Sequence, residues 1–392
     1  MAATRLPAQN VVVMSLAVFA LIAGEQLWSR FLPKYLVDLG APALAVGLWG
    51  SSKDFLDAAL QYPGGVLSDR LGSQRALLAF TAIAGLGYAA YRFAPAWPWL
   101  FLALLLASAW SSLASPATFA LVAESLPPGQ RARGFLVQSL LRRVPIVFAP
   151  ALGGALVERM GLQGGLRTGF TVSIALAAIA LVGQWRFYRP PARHVPSARA
   201  PLATLWAHAS TPLKRLLVAD VLARSAESLA DVFVVLWALD RLHIAPGLYG
   251  RLVGLMMAVS IVAYFPGAWV SERFGRRPAV IFTFVMFAAF PLLTALAHDA
   301  RGLALAFVAG GLREFGEPAR KSLIVDSADP ALRGQSVGGY YLARSTLILP
   351  AGVLGGWLWT HDQRAPFVAA AIVGAAGVAW FATRFREAAL TH

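Results

Sequence analysis

Long apolar runs, separated by short polar connections, are the feature of this sequence that most restricts its fold. A membrane-spanning helix needs about 20 mostly apolar residues, and the chain contains twelve runs of roughly that length. The predicted spans, numbered 1 to 12 in chain order, are residues 11–37, 43–66, 75–93, 98–121, 134–157, 168–186, 215–239, 248–270, 279–297, 302–322, 335–359 and 365–383. Twelve such runs predict an all-α polytopic membrane protein surrounded by a lipid bilayer.

The composition excludes several other classes of protein. Of the 392 residues, 58% are hydrophobic and 14% are charged, whereas an ordinary soluble domain has about 45–50% and about 25%. This hydrophobicity is too high for intrinsic disorder. The chain has 0 cysteines, which excludes a small disulfide scaffold, thiol catalysis and thiolate metal sites.

The net charge of +15 serves mainly as an orientation signal. Clustered, such a charge would indicate a nucleic-acid partner, but the Lys and Arg residues are spread in ones and twos between the apolar runs. The connections on the side of the N-terminus hold 19 of these residues and the opposite connections hold 8. The positive-inside rule therefore predicts that both termini are cytoplasmic. We expect no nucleic-acid partner and a location in a bacterial-type cytoplasmic (inner) membrane.

The chain also repeats itself at an interval of about 200 residues. PGGVLSDRLG at 63–72 matches PGAWVSERFG at 266–275, an offset of 203, and APALAVGLWG at 41–50 matches APGLYGRLVG at 245–254, an offset of 204. Internal duplication is a common device of secondary transporters. A proline-rich and arginine-rich stretch lies between the two copies. We therefore predict an N-terminal six-helix bundle (1–187), a cytoplasmic linker (188–212) and a C-terminal six-helix bundle (213–392).

One repeated motif carries a resemblance to a known family. Gly65-Val-Leu-Ser-Asp69-Arg70-Leu-Gly72, in the short turn after span 2, resembles the loop 2–3 signature of the major facilitator superfamily, and residues 271–277 form a weaker copy in loop 8–9. Ser73 and Gln74 stand where the family pattern continues with two basic residues. The resemblance implies two six-helix bundles related by a pseudo-two-fold axis. It further implies that spans 1, 4, 7 and 10 line a cavity, and that spans 3, 6, 9 and 12 face lipid.

The resemblance also implies a conformational latch, in which motif charges pair with an acid at the cytoplasmic end of another helix. In the first half the implied residues are Gly65, Asp69, Arg70, Gly72, Arg75 and Glu124. In the second-half copy they are Glu272, Arg273 and Gly275. Alternatively, these charges only fix the topology of the chain in the membrane.

A partial second motif lies in span 5. Ala149-Pro150-Ala-Leu-Gly153-Gly154 resembles the core of the helix 5 signature of the family's antiporters, although Pro145 and Ala149 replace upstream glycines. Small residues and proline also serve packing and kinks in spanning helices. The motif favours export over uptake.

Ionisable residues inside the predicted spans are functional candidates, because each costs at least about 2.5–3.5 kcal/mol near the bilayer centre. Spans 3, 6, 9 and 12 have none in their interiors, as expected for lipid-facing helices. The candidates for proton coupling are Glu25, Asp54 and Asp57. The candidates for lining the substrate cavity are Arg30, Arg142, Arg143, Glu227, Asp231, Arg313, Glu314, Glu317 and Arg344. The alternative is that the acids only neutralise the arginines.

These features predict a secondary active transporter that moves a small organic solute by alternating access. Its partners are that solute and protons, and we expect a monomer without cofactor or metal. Export of an amphipathic or anionic compound by proton antiport is favoured. Proton-coupled uptake of an organic anion or other nutrient, and a membrane receptor, remain alternatives. A membrane enzyme is disfavoured, because no H-E-x-x-H, G-x-S-x-G or P-loop motif is present. We expect no catalytic residues.

Overall fold

The computed structural model describes residues 5–114, 128–188, 210–327 and 333–385, and all regular structure in these ranges is helical. The α-helices are α1 (Arg5–Gln26), α2 (Leu32–Asp38), α3 (Ala43–Ala59), α4 (Gln61–Leu71), α5 (Ser73–Phe93), α6 (Trp99–Ser108), α7 (Pro128–Phe187), α8 (Thr211–Ala230), α9 (Pro246–Phe274), α10 (Arg276–Leu296), α11 (Ala300–Leu312), α12 (Glu317–Asp326), α13 (Arg333–His361) and α14 (Ala365–Arg384). Short 3₁₀ or π-helical turns lie at Ser29–Phe31, Ala109–Leu113, Asp231–Phe233 and Trp237–Arg241.

Each predicted span corresponds to one helix or to two consecutive helices, except that α7 alone covers spans 5 and 6. Residues 115–121 of span 4 lie outside the described ranges. Within the described chain, six helical segments are long and apolar enough to cross a membrane by length and composition alone. They are Val12–Asp38, Gln74–Phe93, Leu141–Phe187, Pro246–Phe274, Arg276–Leu296 and Ala365–Arg384. The segment Pro246–Phe274 is span 8. The segment Leu141–Phe187 holds spans 5 and 6, which meet at Gly161, where φ is 72°. The other spans are interrupted or carry more charge.

The repeated motif has the same backbone conformation in both halves. Gly72 separates α4 from α5 with a φ of 79°, and Gly275 separates α9 from α10 with a φ of 85°. A left-handed φ of this kind is costly for any residue with a Cβ. The last glycine of each copy is therefore required by the sharp turn between two consecutive spans.

The described residues group into two compact units that do not follow the order of the chain. The first unit comprises those within Met1–Ala41, Leu56–Ser197 and Ala245–Gly254. The second comprises those within Pro42–Phe55, Ala198–Ile244 and Leu255–His392. The first part of span 2 thus packs with the C-terminal helices, and the first part of span 8 packs with the N-terminal helices. The sequence-order boundaries at 187 and 213 remain a prediction.

Small residues allow span 2 to approach the C-terminal helices inside the second unit. A Cβ on Gly47 would overlap the carbonyl oxygen of Gly352 on α13. Beside this contact, Ser51 Oγ accepts a hydrogen bond from the Gly352 backbone N at 3.1 Å and lies 3.2 Å from Ser228 Oγ. Close backbone approach through small residues is the usual packing mode of helices in membranes.

In the first unit, the start of α9 is held by α7 and by the end of span 1. Glu158 Oε2 accepts a hydrogen bond from the backbone N of Gly247 at 3.0 Å. A carboxylate at this position complements the positive end of the α9 dipole. Phe31 packs edge-on against Tyr249, with ring centroids 5.4 Å apart.

An aromatic cluster forms the core where span 1 meets α5 and α7. Trp28 is 3% exposed and contacts the rings of Tyr88, Tyr91 and Phe170. Its indole Nε1 donates to Ser173 Oγ at 2.8 Å. The polar edge of a buried tryptophan needs such an acceptor, because an unsatisfied donor carries its full desolvation cost.

The Trp28–Ser173 bond yields a stability prediction. Ser173→Ala should lower the free energy of unfolding by about 1–3 kcal/mol, because it strands the buried indole N–H. In a Trp28→Phe background the same change should cost much less, since no N–H remains to be satisfied. Unfolding of the detergent-solubilised variants, followed by tryptophan fluorescence, measures both values. Equal costs in the two backgrounds would contradict this account of the bond.

Candidate functional site

Span 10 is broken in its middle, between α11 and α12. Residues 313–316 make only short-range backbone hydrogen bonds, such as Glu314 N to Gly311 O at 3.2 Å and Glu317 N to Glu314 O at 3.2 Å. Gly316 N instead donates to Thr283 Oγ1 of α10 at 2.6 Å, and Pro318 occupies the first turn of α12. Irregular backbone at membrane depth is tolerated only where protein or a cavity surrounds it, and it marks binding sites in many transporters.

The opposing face of span 7 carries charges at helical spacing. Asp220, Arg224 and Glu227 follow one another on α8 at intervals of four and three residues, so they share one face. Asp231 lies in the 3₁₀ turn that follows α8. This row of charges meets the broken part of span 10 inside the second unit.

Arg320 is at the centre of the contacts between these spans. It is 1% exposed and holds Glu317 in a bidentate pair, with Nε to Oε2 at 2.8 Å and Nη2 to Oε1 at 2.7 Å. Its Nη1 bonds to Asp220 Oδ2. The same Asp220 oxygen accepts from Tyr340 Oη at 3.0 Å and lies 3.4 Å from Arg344 Nη1, both on α13.

A second layer of ion pairs links the middle of span 7 to the break. Arg224 contacts Glu227 at 2.8 Å and Glu317 at 3.6 Å. Arg313 contacts Glu227 at 3.4 Å and Asp231 at 3.2 Å. The Arg313 guanidinium also stacks over the ring of Phe290 at 4.5 Å from its centroid.

Together these residues form what we call the C-terminal charge network. Its members are Asp220, Arg224, Glu227, Asp231, Arg313, Glu317, Arg320, Tyr340 and Arg344. The four carboxylates balance the four guanidinium groups, so the network is neutral apart from the exposed Lys321, which contacts Glu317 at 3.4 Å. Neutrality allows it to be buried, because an uncompensated charge at this depth costs several kcal/mol.

Glu314 lies in the break of span 10 but outside this balance. It is half-buried, and its Oε2 accepts a hydrogen bond from Tyr264 Oη of α9 at 2.6 Å. Among the described residues it forms no ion pair with an arginine or lysine. A comparable hydroxyl-bound acid exists in the first unit, where Asp57 accepts from Ser112 Oγ at 2.7 Å and from Ser111 Oγ at 3.3 Å.

The cavity candidates predicted from the sequence divide between the two units. Glu227, Asp231, Arg313, Glu317 and Arg344 come together in the C-terminal charge network, and Glu314 lies beside it. Arg30, Arg142 and Arg143 belong to the first unit, where Arg142 is exposed and the other two are half-buried.

The three predicted proton-coupling acids are divided between the two units. Glu25 is half-buried on α1 in the first unit, and Asp54 is exposed on α3 in the second. Asp57 follows on the same helix but belongs to the first unit. Their role in coupling stays a prediction.

The predicted latch falls partly outside the described residues. Glu124 lies there entirely, and the burial of Gly65 and the side chain of Asp69 are not described, while Arg70 and Arg75 are exposed. In the second half, Glu272 and Arg273 are exposed, and Arg273 stacks over Trp269 at 5.7 Å and over Phe274.

An ion pair that the sequence analysis did not single out lies next to the second motif copy. Arg276, directly after Gly275, pairs with Asp326 at the end of α12 and donates to Ser322 Oγ at 2.9 Å. Asp326 is the repeat counterpart of Glu124. The candidate list also omits Asp220, Arg224 and Arg320, although their spacing along spans 7 and 10 could have indicated them. Nothing in the sequence pattern pointed to Tyr264.

Comparison with known proteins decides the family. The model of the Major Facilitator Superfamily matches residues 14–225 and 216–391, which together span nearly the whole chain. The chain belongs to the major facilitator superfamily. It is therefore a membrane transporter of an all-α fold and not an enzyme, and the resemblance seen in the loop 2–3 motif is confirmed.

Relatives and solved structures of this superfamily agree. The chain is 27% identical over 339 residues to the multidrug resistance protein MdtH of Photorhabdus laumondii, covering 83% of this chain and 80% of the relative. It is 26% identical to MdtH of Edwardsiella ictaluri over 84% of this chain and 81% of the relative. A crystal structure of a POT family transporter with 5-aminolevulinic acid superposes with a TM-score of 0.78 at 13% identity, covering 97% and 96%.

The fold is also shared with the nucleoside transporter NupG. A crystal structure of a NupG mutant superposes with a TM-score of 0.77 at 13% identity, covering 98% of this chain and 100% of that one. At such low identity these structures show the fold alone. As in other members of the superfamily, the small-molecule substrate is moved across a membrane in which the helices are embedded.

Proposed function

We propose that this transporter exports small amphipathic compounds in exchange for protons, by alternating access, from a cytoplasm that holds both termini. The observation that carries the proposal is the similarity to MdtH multidrug resistance proteins along more than four fifths of the chain. The antiporter-like motif at Ala149–Gly154 supports the same direction. We propose a monomer in a bacterial-type cytoplasmic membrane.

The charge network argues against the alternative of organic-anion uptake. That alternative relied on arginines in the cavity, since guanidinium groups suit carboxylates and phosphates. In the second unit, Arg313 and Arg344 are each paired with carboxylates of span 7. The carboxylate left outside the neutral network, Glu314, would favour a neutral or positively charged amphipathic substrate instead.

Transport in proteoliposomes tests the proposal. Ethidium serves as an amphipathic cation and carboxyfluorescein as an organic anion, with an imposed pH gradient of about one unit. Such a gradient is worth about 1.4 kcal/mol per proton and supports about a tenfold concentration ratio for a one-for-one exchange. We expect ethidium to accumulate in vesicles with an acidic interior.

Two outcomes would contradict the proposal. Movement of carboxyfluorescein in the same direction as the protons would support the uptake alternative. If the folded protein moves neither dye in response to the gradient, proton-coupled export of such compounds is wrong. Protein-free vesicles, which report passive leakage and dye binding to lipid, are the control.

A further inference from the structure

We propose that Glu314, bound by Tyr264 in the break of span 10, is the carboxylate that exchanges a proton for the substrate. The inference rests on the proposed function for its transport role. It transfers the coupling role from the acids of spans 1 and 2 to the C-terminal half. It also separates Glu314 from Glu227, Asp231, Arg313, Glu317 and Arg344, which it leaves as structural ion pairs.

The position of Glu314 suits a group that exchanges protons in the middle of the membrane. Span 10 runs from Ala300 to Asp326, and Glu314 lies near its midpoint, about 20 Å from either end at 1.5 Å per residue. The interrupted backbone there frees the side chain from the regular packing of a helix. Substrate and ion sites of secondary transporters lie near the midplane at discontinuous helices of this kind.

The ionic surroundings distinguish Glu314 from its neighbours. The charged groups around the break are Arg313, Glu317, Arg320 and Lys321 on span 10 itself and Arg224, Glu227 and Asp231 on span 7. The three acids among them are all ion-paired. α9 contributes Tyr264, α10 contributes the uncharged Thr283 and Phe282, and Tyr340 and Arg344 of α13 face Asp220.

This arrangement makes Glu314 the least costly place to add and remove a proton. Protonating Glu227, Asp231 or Glu317 leaves a buried arginine without part of its compensation, which is strongly unfavourable. Protonating Glu314 leaves no arginine unpaired among the described residues. Its neutral form can keep the Tyr264 contact, because a carboxylic acid retains an acceptor oxygen.

The charge balance of the exchange is simple. A proton bound to Glu314 is released to water on the cytoplasmic side when an amphipathic cation takes its place beside the carboxylate. The site is then neutral in both occupied states, either as the acid or as a carboxylate–cation pair. The aromatic ring of Tyr264 is placed to contact the apolar part of such a ligand.

The internal repeat places a related pair in the first half, one helical turn away from the equivalent position. At the repeat offsets, Glu314 corresponds to Ser112, and Ser260, one helical turn before Tyr264, corresponds to Asp57. In the first unit Asp57 accepts from Ser112, next to the π-helical turn of span 4. In both halves, therefore, a hydroxyl group donates to a carboxylate where the interrupted fourth helix of the half meets its second helix. In the first half the fourth helix carries the hydroxyl, and in the second half the fourth helix carries the carboxylate.

The test combines a spectroscopic readout, which needs no substrate, with transport. Infrared difference spectra of the purified protein, recorded over a series of pH values, report carboxyl groups that gain a proton. Glu314→Gln keeps an oxygen that accepts from Tyr264 but cannot titrate, so it should remove one carboxylic-acid band. In proteoliposomes it should abolish ethidium accumulation driven by the pH gradient and weaken exchange of ethidium for ethidium, because the cation also loses its compensating charge.

The matched control is Glu158→Gln, the same chemical change at an exposed glutamate of α7, which should leave the band that is assigned to Glu314 in place. If Glu314→Gln keeps both the band and the accumulation, the inference is wrong. If the wild type shows no coupled transport but Glu314→Gln still removes the band, the transport proposal fails and the protonation site stands. Should Glu314→Gln not fold, Tyr264→Phe must shift the pH at which the band appears, and an unchanged titration overturns the inference.

Discussion

Asp220→Asn is expected to lower the free energy of unfolding by about 3–5 kcal/mol, the cost of breaking a buried ion pair by removing one partner. Asp220 and Arg320 are each 1% exposed. The substitution keeps a side chain of the same size and an oxygen that accepts from Tyr340, but it removes the charge that compensates Arg320 and Arg344. Arg320 cannot reach water from this position without movement of the helices, whereas the side chain of Arg344 is 17% exposed.

The measurement is unfolding of the detergent-solubilised protein by increasing SDS, followed by the fluorescence of its tryptophans. Asp326→Asn is the matched control, because Asp326 pairs with Arg276 but its side chain is 48% exposed. A solvent-exposed pair is worth only about 0–1 kcal/mol. If the two substitutions destabilise the protein equally, the C-terminal charge network does not carry the stability that we assign to it.

The second large effect is expected from a reversible cross-link between spans 2 and 7. The hydroxyl oxygens of Ser51 and Ser228 lie 3.2 Å apart, so sulfur atoms in their places need to approach by only about 1 Å to form a disulfide. Alternating access by our proposal requires these two helices, one from each half of the sequence, to separate during the cycle. Oxidised Ser51→Cys/Ser228→Cys should therefore lose ethidium transport down to the level of protein-free vesicles.

The chain suits this experiment because it has 0 native cysteines, and no background thiols need to be removed. A reducing agent should restore transport in the double variant. Each single variant should transport normally with or without oxidant. Full transport by a quantitatively cross-linked double variant would show that spans 2 and 7 remain together throughout the cycle, and would contradict this form of alternating access.

The two experiments probe different properties of the same helix. Asp220 lies in the middle of α8 and Ser228 near its end. The network around Asp220 joins spans 7, 10 and 11 of one half, so its loss should weaken that half itself. The Ser51 contact joins α8 to a segment from the other half, so locking it should leave stability intact and stop movement.

Much of the architecture could be predicted from local patterns. The length of the apolar runs reflects the thickness of the bilayer, and each run forms its own backbone hydrogen bonds, so the spans can be recognised without any knowledge of their neighbours. The repeated motif predicted equivalent turns, and Gly72 and Gly275 both adopt a left-handed φ. The absence of charge from spans 3, 6, 9 and 12 likewise follows from what a lipid-facing helix can carry.

The candidate site could be predicted only in part. Spacing along one helix indicates which charges share a face, and this was enough to select Glu227, Asp231, Arg313 and Glu317. Spacing says nothing about which arginine on a second helix meets which acid on the first. Asp220 and Arg320, 100 residues apart in the chain, are partners because α8 and α12 pack together.

The coupling candidates of spans 1 and 2, which remain a prediction, show a related difficulty in ranking residues from sequence. Glu25, Asp54 and Asp57 were attractive because acids inside predicted spans are rare and costly, and the sequence offered no way to rank them against Glu314. What distinguishes Glu314 is its surroundings: a tyrosine from α9 and no compensating arginine among the described residues. That difference is a property of three helices together.

Local sequence patterns were thus sufficient to predict the number of spans, the duplication, the orientation signal and the family. Hydropathy, turn geometry and motif spacing act within a few residues of the chain, so they can be read without knowledge of the tertiary structure. The partners of the membrane-embedded charges, and the exchange of segments between the two compact units, depended on packing. Coulombic compensation and close backbone approach act through space over a few ångströms. Residues far apart in the sequence, such as Gly47 and Gly352 or Tyr264 and Glu314, meet only after the helices have assembled.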